Sequence, residues 1–529
     1  MHKTNNLITI LHNIQNHIEC KGQIDIVLII NHLAHNQQAV SGTKFHILIY
    51  GCQMNYADSA RIKAVLTHAG MVYVSDIADA DLVIFDTCSV RQKSEDKVTG
   101  KMLEIKNNQK VWMTGCMVQH YLKNSKVRKA KTGAAAKIRT GNFVGGIQNT
   151  DPAIVGLGDF EDELRMVQDY DNVLYINHAF SPLRSTLHQQ FNNIELFFRI
   201  DDTGFLPLLA SRLGYDVHVD NNLTNEYSSI IPHDSNQLLS VNTKTAYVPI
   251  STGCSQFCAY CIVPYARGLE NNRAVDDIVN EAKHHLALGI QEIVLLGQIV
   301  NKHPEFVTIC KKILALPGLK WLRYTSPYPT FFSQELLELH ENEPKMCPHI
   351  HMPLQSGSDT VLRNMFRGYT ASDYRSFVDN IRKLKRPISI TSDIIVGFPD
   401  ETEEDFNQSL ELAQYARFDM IYIGIYSPRP GTIGAKKYKD NISKIVKKQR
   451  RNALNEQLRR ISQENNIQEI GSSKDIMITR KLKNGQYFGY TDNMKNIVID
   501  PQGNTLGTGE FASVAITGSE AFKLFGQIA

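Results

Sequence analysis

The stretch TGCSQFCAYCIVPYARG, residues 252–268, sets three cysteines, Cys254, Cys258 and Cys261, within eight residues. A structural zinc site normally closes with four ligands, so three thiols leave a position open. Thiolates spaced C-x3-C-x2-C on one loop can ligate three of the four irons of a cubane and leave the fourth for a small molecule. A zinc site completed by a distant histidine is the competing reading. What surrounds the loop has to decide between them.

From Thr245 strand-like runs recur: AYVPIS, EIVLLG, WLRYTS, HIHMPL, ISITSDIIVGF and MIYIGIYS. Helix-like segments lie between them, at residues 274–288, 306–316, 371–384 and 403–416. The last follows PDETEED, whose acids and Thr402 suit a helix N-terminus. Six βα units predict an open, partial (β/α)6 barrel, with catalytic groups at the carboxyl ends of the strands. The cysteine loop follows the first strand and so lies on that face.

Upstream, HILIYG, DLVIFDT and KVWMTG each read as a buried strand followed by a helix-like stretch, which predicts an open parallel α/β sheet. Each run is followed directly by a cysteine: Cys52, Cys88 and Cys116. Parallel strands end on one edge, where open α/β sheets bind ligands, so the three thiols can converge although far apart in sequence. Three buried structural thiols are the plainer reading. Residues 145–244 are rich in Asp and Asn, with possible strands at NVLYINHAF and IELFFRI and a possible helix at FLPLLASRLG. No chemical motif stands out there, and the region reads as an insertion or linker.

Downstream lies a basic helical stretch, ISKIVKKQRRNALNEQLRRISQENN, and residues 431–483 hold fourteen Lys/Arg against five Asp/Glu. A solvated helix face and a phosphate-binding face both fit that excess. Residues 471–529 show short alternating segments, DIMITRKL, YFGYTD, KNIVID and ASVAIT, between turns. That pattern predicts a small all-β barrel, a type often used on nucleic acid.

The chain has 529 residues, room for three or four domains of about 100–200 residues each. Its 42% hydrophobic and 21% charged content is that of a soluble globular protein, and a net charge of +3 alone predicts no polyanion partner. The longest apolar run near the N-terminus, residues 26–30, is far short of the roughly 20 residues of a membrane span. Residues 1–43 lack the pattern of an export signal. Nine cysteines are too few for a disulfide scaffold and cannot all pair, which places the chain in a reducing, cytoplasmic setting.

The cysteine loop, with Tyr260 before its last thiol, resembles that of the radical S-adenosylmethionine superfamily. More closely, the chain resembles the radical S-adenosylmethionine methylthiotransferases, and within them the tRNA enzymes acting on N6-isopentenyladenosine. YGCQMNYADS, FDTCSVRQKSEDKV and TGCMVQ look like that family's N-terminal domain. GCSQFCAYCIVPYARG, HMPLQSGSDTVLRNMFRGYT, SDIIVGFPDETEEDF and IYSPRPGT look like its radical domain, and the tail looks like its TRAM-type barrel. The likeness covers residues 46–141 and 245 to the end. Relatives modify threonylcarbamoyladenosine of tRNA or an aspartate of a ribosomal protein.

The resemblance implies two [4Fe–4S] clusters, one on Cys52, Cys88 and Cys116 and one on Cys254, Cys258 and Cys261. S-Adenosylmethionine would bind the open iron of the second, with Gln355 and Ser356 lining its site. The implied reaction is methylthio transfer to C2 of isopentenyladenosine at position 37, in the tRNA anticodon loop. An aromatic C–H is too unreactive for any side-chain base, so a cofactor must supply the radical. An electron donor and a sulfur donor are implied as partners, no membrane is, and a monomer is expected. The expected layout is a poorly ordered leader 1–43, a methylthiotransferase α/β domain 44–144, a linking region 145–244, a radical domain 245–430, a basic helical connector 431–470 and a barrel 471–529.

Three features depart from the family pattern. LLGQIVNKHP stands where the family has LLGQNVNSYG, so Ile299 replaces Asn and the loop after Asn301 is shortened. The linking region is longer than usual, and the leader has no counterpart. Cys20, Cys310 and Cys347 match no motif and read as ordinary thiols. The non-enzymatic alternative is an RNA-binding protein with structural clusters, but a structural cluster gains from a fourth ligand and both triads lack one.

Overall fold

The computed structural model describes residues 40–88, 92–119, 194–219 and 244–528. The leader before Val40, Cys20, the stretch NVLYINHAF and most of the linking region lie outside the described residues. Two compact units emerge, one from Met1–Leu239 with Tyr265–Leu269 and the other from Ser240–Pro264 with Glu270–Ala529.

The first unit contains strands β1 (Val40–Ser41), β2 (Lys44–Tyr50), β3 (Val72–Tyr73), β4 (Leu82–Thr87), β5 (Lys110–Gly115), β6 (Ile194–Phe197) and β7 (Tyr215–Asp216). Five of them form a sheet in the order β3-β2-β4-β5-β6, parallel throughout, as the alternating strand–helix pattern predicts. Consecutive residues of a strand face opposite sides, and here both sides are apolar. Val83, Phe85, Val111 and Met113 pack with Val98 and Met102 on one face. Leu82, Ile84 and Trp112 pack with Ile62 and Leu66 of the helix Gln53–His68 on the other. Such double burial explains why these strands read as continuous apolar runs.

The sheet also draws on the stretch read as a linker. IELFFRI supplies β6, paired with β5, and FLPLLASRLG supplies the helix Leu206–Arg212. Trp112 meets Phe198 and Tyr215 edge-on, at 6.5 and 5.6 Å between ring centroids. Without β6, the buried β5 would be an open edge, which is the physical reason the sheet extends past residue 144. Val40 and Ser41, from the end of the leader, pair with β7.

The second unit begins with β8 (Thr245–Pro249), β9 (Ser251–Thr252), β10 (Asn271–Asn272), β11 (Glu292–Leu296), β12 (Trp321–Tyr324), β13 (His349–His351), β14 (Ser389–Val396) and β15 (Met420–Ile425). The six parallel strands form two three-stranded sheets, β12-β11-β8 and β13-β14-β15, rather than one. An isolated parallel bridge, Leu322 to Met346, links β12 to the residues just before β13. The ladder stops there because the His349 amide turns back on the Cys347 carbonyl at 2.8 Å, across Pro348, which has no amide to give.

Strands β16 (Ser473–Lys481), β17 (Tyr487–Thr491), β18 (Asn496–Asp500), β19 (Phe511–Glu520) and β20 (Lys523–Ile528) close into a barrel in the order β16-β17-β18-β20-β19. Ile476, Ile478, Ile497, Ile499, Val514, Ile516 and Leu524 fill it. Register shifts at Ile478/Arg480 and Ile516/Gly518 bend the strands as closure requires. The basic stretch is the helix Lys444–Ile467, capped by Ser443 and resting on β15 and β19. Its buried face carries Leu454, Leu458 and Ile461 but also Lys447 and Arg450. Lys447 pairs with Asp440 and Arg450 with Glu401, so these two cations belong to the fold and not to a solvated face. Cys310 and Cys347 are buried.

Candidate functional site

In the first unit, register aligns Tyr50, Thr87 and Gly115 at the ends of three neighbouring strands. Cys52, Cys88 and Cys116 therefore leave one sheet edge together. Gly115 makes this possible: its φ is +94°, and a Cβ there would lie 2.2 Å from the Thr87 carbonyl oxygen. Cys88 and Cys116 are buried and Cys52 is exposed. Cys52 caps the helix Gln53–His68, with its amide donating to Asn55 Oδ1 at 3.1 Å.

A buried polar network lies under this triad. Asn55 Nδ2 donates to Asp86 Oδ1 at 2.7 Å, and Ser59 Oγ donates to Asp86 Oδ2 at 2.8 Å. Burial pushes the Asp86 carboxyl up to about 7, the neighbouring Asp58 adds to the rise, and the two hydrogen bonds oppose it. Asp58 pairs with Arg267 at 2.7 Å, and Arg267 Nε donates to Cys116 Sγ at 3.2 Å. Burial pushes the Cys116 thiol up to about 12 against the pull of Arg267, and the nearby Cys88 and Cys52 raise it further. Cys88 and Cys52 thus stand within electrostatic reach of Cys116.

In the second unit, β9 and β10 pair antiparallel, Thr252 with Asn271 and Ser251 with Asn272, and tie off the cysteine loop. Inside it the Cys261 amide donates to the Cys258 carbonyl at 2.9 Å, and Phe257 holds φ at 52°. Such a left-handed bulky residue persists only where its surroundings impose it. Cys254 and Cys258 are buried and Cys261 is partly so. Burial pushes Cys261 up to about 12, with Cys258 adding to it, and burial also raises Cys254. Arg367 Nη1 donates to Cys258 Sγ at 3.2 Å.

Gln355 and Ser356 differ. Gln355 sits at φ 70°, its amide bonded to the Asp393 carbonyl at 2.8 Å, and its side-chain Oε1 is buried without a partner among the described residues. Backbone strain beside an orphaned acceptor is what a ligand-facing group shows in the absence of its ligand. Ser356 is fully buried, its hydroxyl 3.3 Å from Ser409 Oγ and accepting from the Ser358 amide at 3.2 Å. Ser356 holds the loop, and Gln355 has the group to offer.

Among the described residues, no three His, Cys, Asp or Glu side chains converge on one point as a single ion requires. A tetrahedral zinc centre does ask for that convergence. A cubane instead takes each thiolate on a different iron. Ile299 is packed in the same apolar cluster as Cys254 and Tyr328. Asn301 bridges to Tyr328 in both directions, at 3.0 and 2.7 Å. Lys302 pairs with Glu270 at the end of the cysteine loop, so the shortened loop is anchored beside it. Sequence reasoning missed Arg267, Arg367 and the Asp86 network. Both arginines stand inside quoted motifs, PYARG and MFRGYT, but nothing in a motif says which sulfur an arginine faces.

The model of the Radical SAM superfamily matches residues 248–413, and that of Uncharacterized protein family UPF0004 matches residues 44–135. A tRNA-2-methylthio-N(6)-dimethylallyladenosine synthase of Opitutus terrae is 31% identical over 512 residues, spanning 92% of this chain and 97% of the relative. The enzyme of the same name from Nitrosomonas europaea is 31% identical over 92% of this chain and 99% of its own. Among solved structures, the radical S-adenosylmethionine methyltransferase TsrM of Kitasatospora setae aligns with a TM-score of 0.42 at 13% identity, covering 75% of this chain and 77% of that one. The chain belongs to the tRNA-2-methylthio-N(6)-dimethylallyladenosine synthase family of radical S-adenosylmethionine methylthiotransferases.

Proposed function

We propose that this chain transfers a methylthio group to C2 of N6-isopentenyladenosine at position 37, in the anticodon loop of tRNA. The observation that carries the reading is the pair of triads, each stopping at three thiols, on a chain of this family. Cys254, Cys258 and Cys261 would hold one [4Fe–4S] cluster, to which S-adenosylmethionine binds, and Cys52, Cys88 and Cys116 a second. When bound, these groups supply the radical and the activated sulfur that no side chain can provide.

The chain's own residues do the rest. Gln355 Oε1 offers a buried acceptor suited to the ammonium of S-adenosylmethionine. Burial of Cys254 and Cys258 keeps water from the ligand sulfurs. Metal binding must displace protons that burial makes the Cys116 and Cys261 thiols reluctant to release, so loading is favoured at higher pH. Lys444, Lys448 and Arg451, with Tyr426, Ser427 and Pro428, line a cavity of about 450 Å³ at the end of β15. Cations so placed suit RNA phosphates. A single-stranded loop lets the target adenine leave its stack at least cost.

We assign residues 44–144, together with β6 and the helix Leu206–Arg212, to sulfur handling, 245–430 to radical chemistry and 471–529 to tRNA binding, in a cytoplasmic monomer served by separate electron and sulfur donors. Among the described residues no helix is long and apolar enough to cross a membrane. Mass analysis of tRNA nucleosides from cells lacking the protein tests the substrate. The 2-methylthio derivative of isopentenyladenosine should vanish while isopentenyladenosine accumulates. Loss of a methylthiolated threonylcarbamoyladenosine instead would assign the chain to the other tRNA substrate.

A further inference from the structure

Arg367 follows Phe366, whose backbone is held at φ 60°, and its guanidinium is fixed on several sides. Nε donates to the Tyr369 hydroxyl at 3.0 Å, and Nη1 donates to Cys258 Sγ at 3.2 Å and to the Tyr260 hydroxyl at 3.4 Å. Its plane lies over the rings of Tyr328 and Tyr369, with centroids 4.4 and 5.1 Å away. Tyr328 is held in turn, its hydroxyl accepting from the Gly368 amide at 3.0 Å. Among the described residues these partners are phenols and a thiol, and no carboxylate is within ion-pair reach. Arg267 is different, because Asp58 already balances it at 2.7 Å.

A guanidinium is charged at every working pH, and a phenol is neutral near pH 7. A half-buried cation with neutral neighbours lacks the anion that would compensate its desolvation. The sulfur of Cys258 is the partner that becomes anionic once it ligates iron. We propose that Arg367 is a positioning residue of the radical centre, holding Cys258 and raising the reduction potential of the cluster on that loop. The inference rests on the assignment of Cys254, Cys258 and Cys261 as cluster ligands. One electron from an external reductant takes the oxidised cluster to the reduced one, and a fixed cation bonded to a ligand sulfur stabilises the added negative charge.

The test uses the full chain with Cys52, Cys88 and Cys116 replaced by Ala, so that one cluster remains. It is reconstituted anaerobically, and its midpoint potential is read by redox titration monitored by electron paramagnetic resonance, without S-adenosylmethionine or tRNA. Arg367→Gln should keep about four irons, yet shift the reduction equilibrium at least tenfold towards the oxidised form. For one electron that is a fall of about 59 mV. Arg367→Lys keeps the charge but cannot hold Tyr369 and Cys258 together, so a smaller fall is expected. An unchanged potential in Arg367→Gln with iron retained overturns the proposal. If that variant does not load, an unchanged potential in Arg367→Lys overturns it. Failure of the underlying assignment looks different: the parent with Arg367 intact would bind no iron.

Discussion

The two cysteine triads are assembled by opposite constructions. Cys254, Cys258 and Cys261 share one loop, shaped by a local turn and tied off by a two-residue strand pair. Cys52, Cys88 and Cys116 share only a sheet edge, where parallel register brings three strand ends together. The first kind of site survives as long as its loop does. The second exists only while the whole sheet does, and beneath it lies a buried network around Asp86. Among the described residues a guanidinium donates to a sulfur of each triad, Arg367 to Cys258 and Arg267 to Cys116.

The largest effects should come from the thiols themselves. Any one of Cys254→Ala, Cys258→Ala and Cys261→Ala should abolish both the release of 5′-deoxyadenosine and the methylthiolated product. Replacing Cys52, Cys88 and Cys116 together should leave that release intact while the product disappears. Both molecules can be quantified in one anaerobic assay with dithionite and tRNA bearing isopentenyladenosine. Full product from the triple variant would make the sheet-edge thiols structural. A folded triple variant that keeps its other cluster but releases no 5′-deoxyadenosine would end the division of labour.

Next comes the dependence of one triad on backbone geometry. Gly115→Val adds a β-branched side chain at φ +94°, where even a Cβ meets the Thr87 carbonyl at 2.2 Å. Strain of this kind costs on the order of 1–3 kcal/mol before any repacking. The end of β5 must then move from β4, and Cys116 moves with it. Iron content should fall to about half, near four per chain, with the loop cluster kept. Retention of about eight irons in Gly115→Val would mean that the sheet edge does not set the site.

These constructions also explain what could be read in advance. The C-x3-C-x2-C spacing is local, so the loop triad was legible residue by residue. The other triad was legible because each buried strand ran straight into its cysteine, and strand ends are a property of sequence pattern. Tertiary partnership was not legible. IELFFRI and FLPLLASRLG read as a possible strand and a possible helix, as they are, but their place in the sheet did not show, because a strand's neighbour is chosen by the edge it must cover. The break between β12 and β13 turns on one peptide at Pro348, which no periodicity reveals. Lys447 and Arg450 counted towards a basic face that the fold had already used. Of the pair Gln355 and Ser356, only the structure separates the group with an open acceptor from the one that braces the loop.

The smallest expected effect is a difference in how the two units respond to pH in the metal-free protein. In the first, burial lifts Asp86 from 3.8 to about 7. Between those values the folded state keeps a proton that the unfolded state has lost, so stability falls as pH rises from about 4 to 7. In the second, burial, aided by Arg386, lowers His340 from 6.5 to about 3, with its ring 2.6 Å from the Tyr324 hydroxyl. There the unfolded state gains a proton first, so stability is full above 6.5 and falls as pH drops towards 3. Each group contributes at most about 1.4 kcal/mol per pH unit. Denaturant unfolding followed across pH 4–7 should therefore lose part of its slope in Asp86→Asn, and His340→Gln should lose the opposite part. If Asp86→Asn leaves the slope unchanged, the carboxyl is already ionised in the fold, and its hydrogen bonds with Asn55 and Ser59 outweigh its burial.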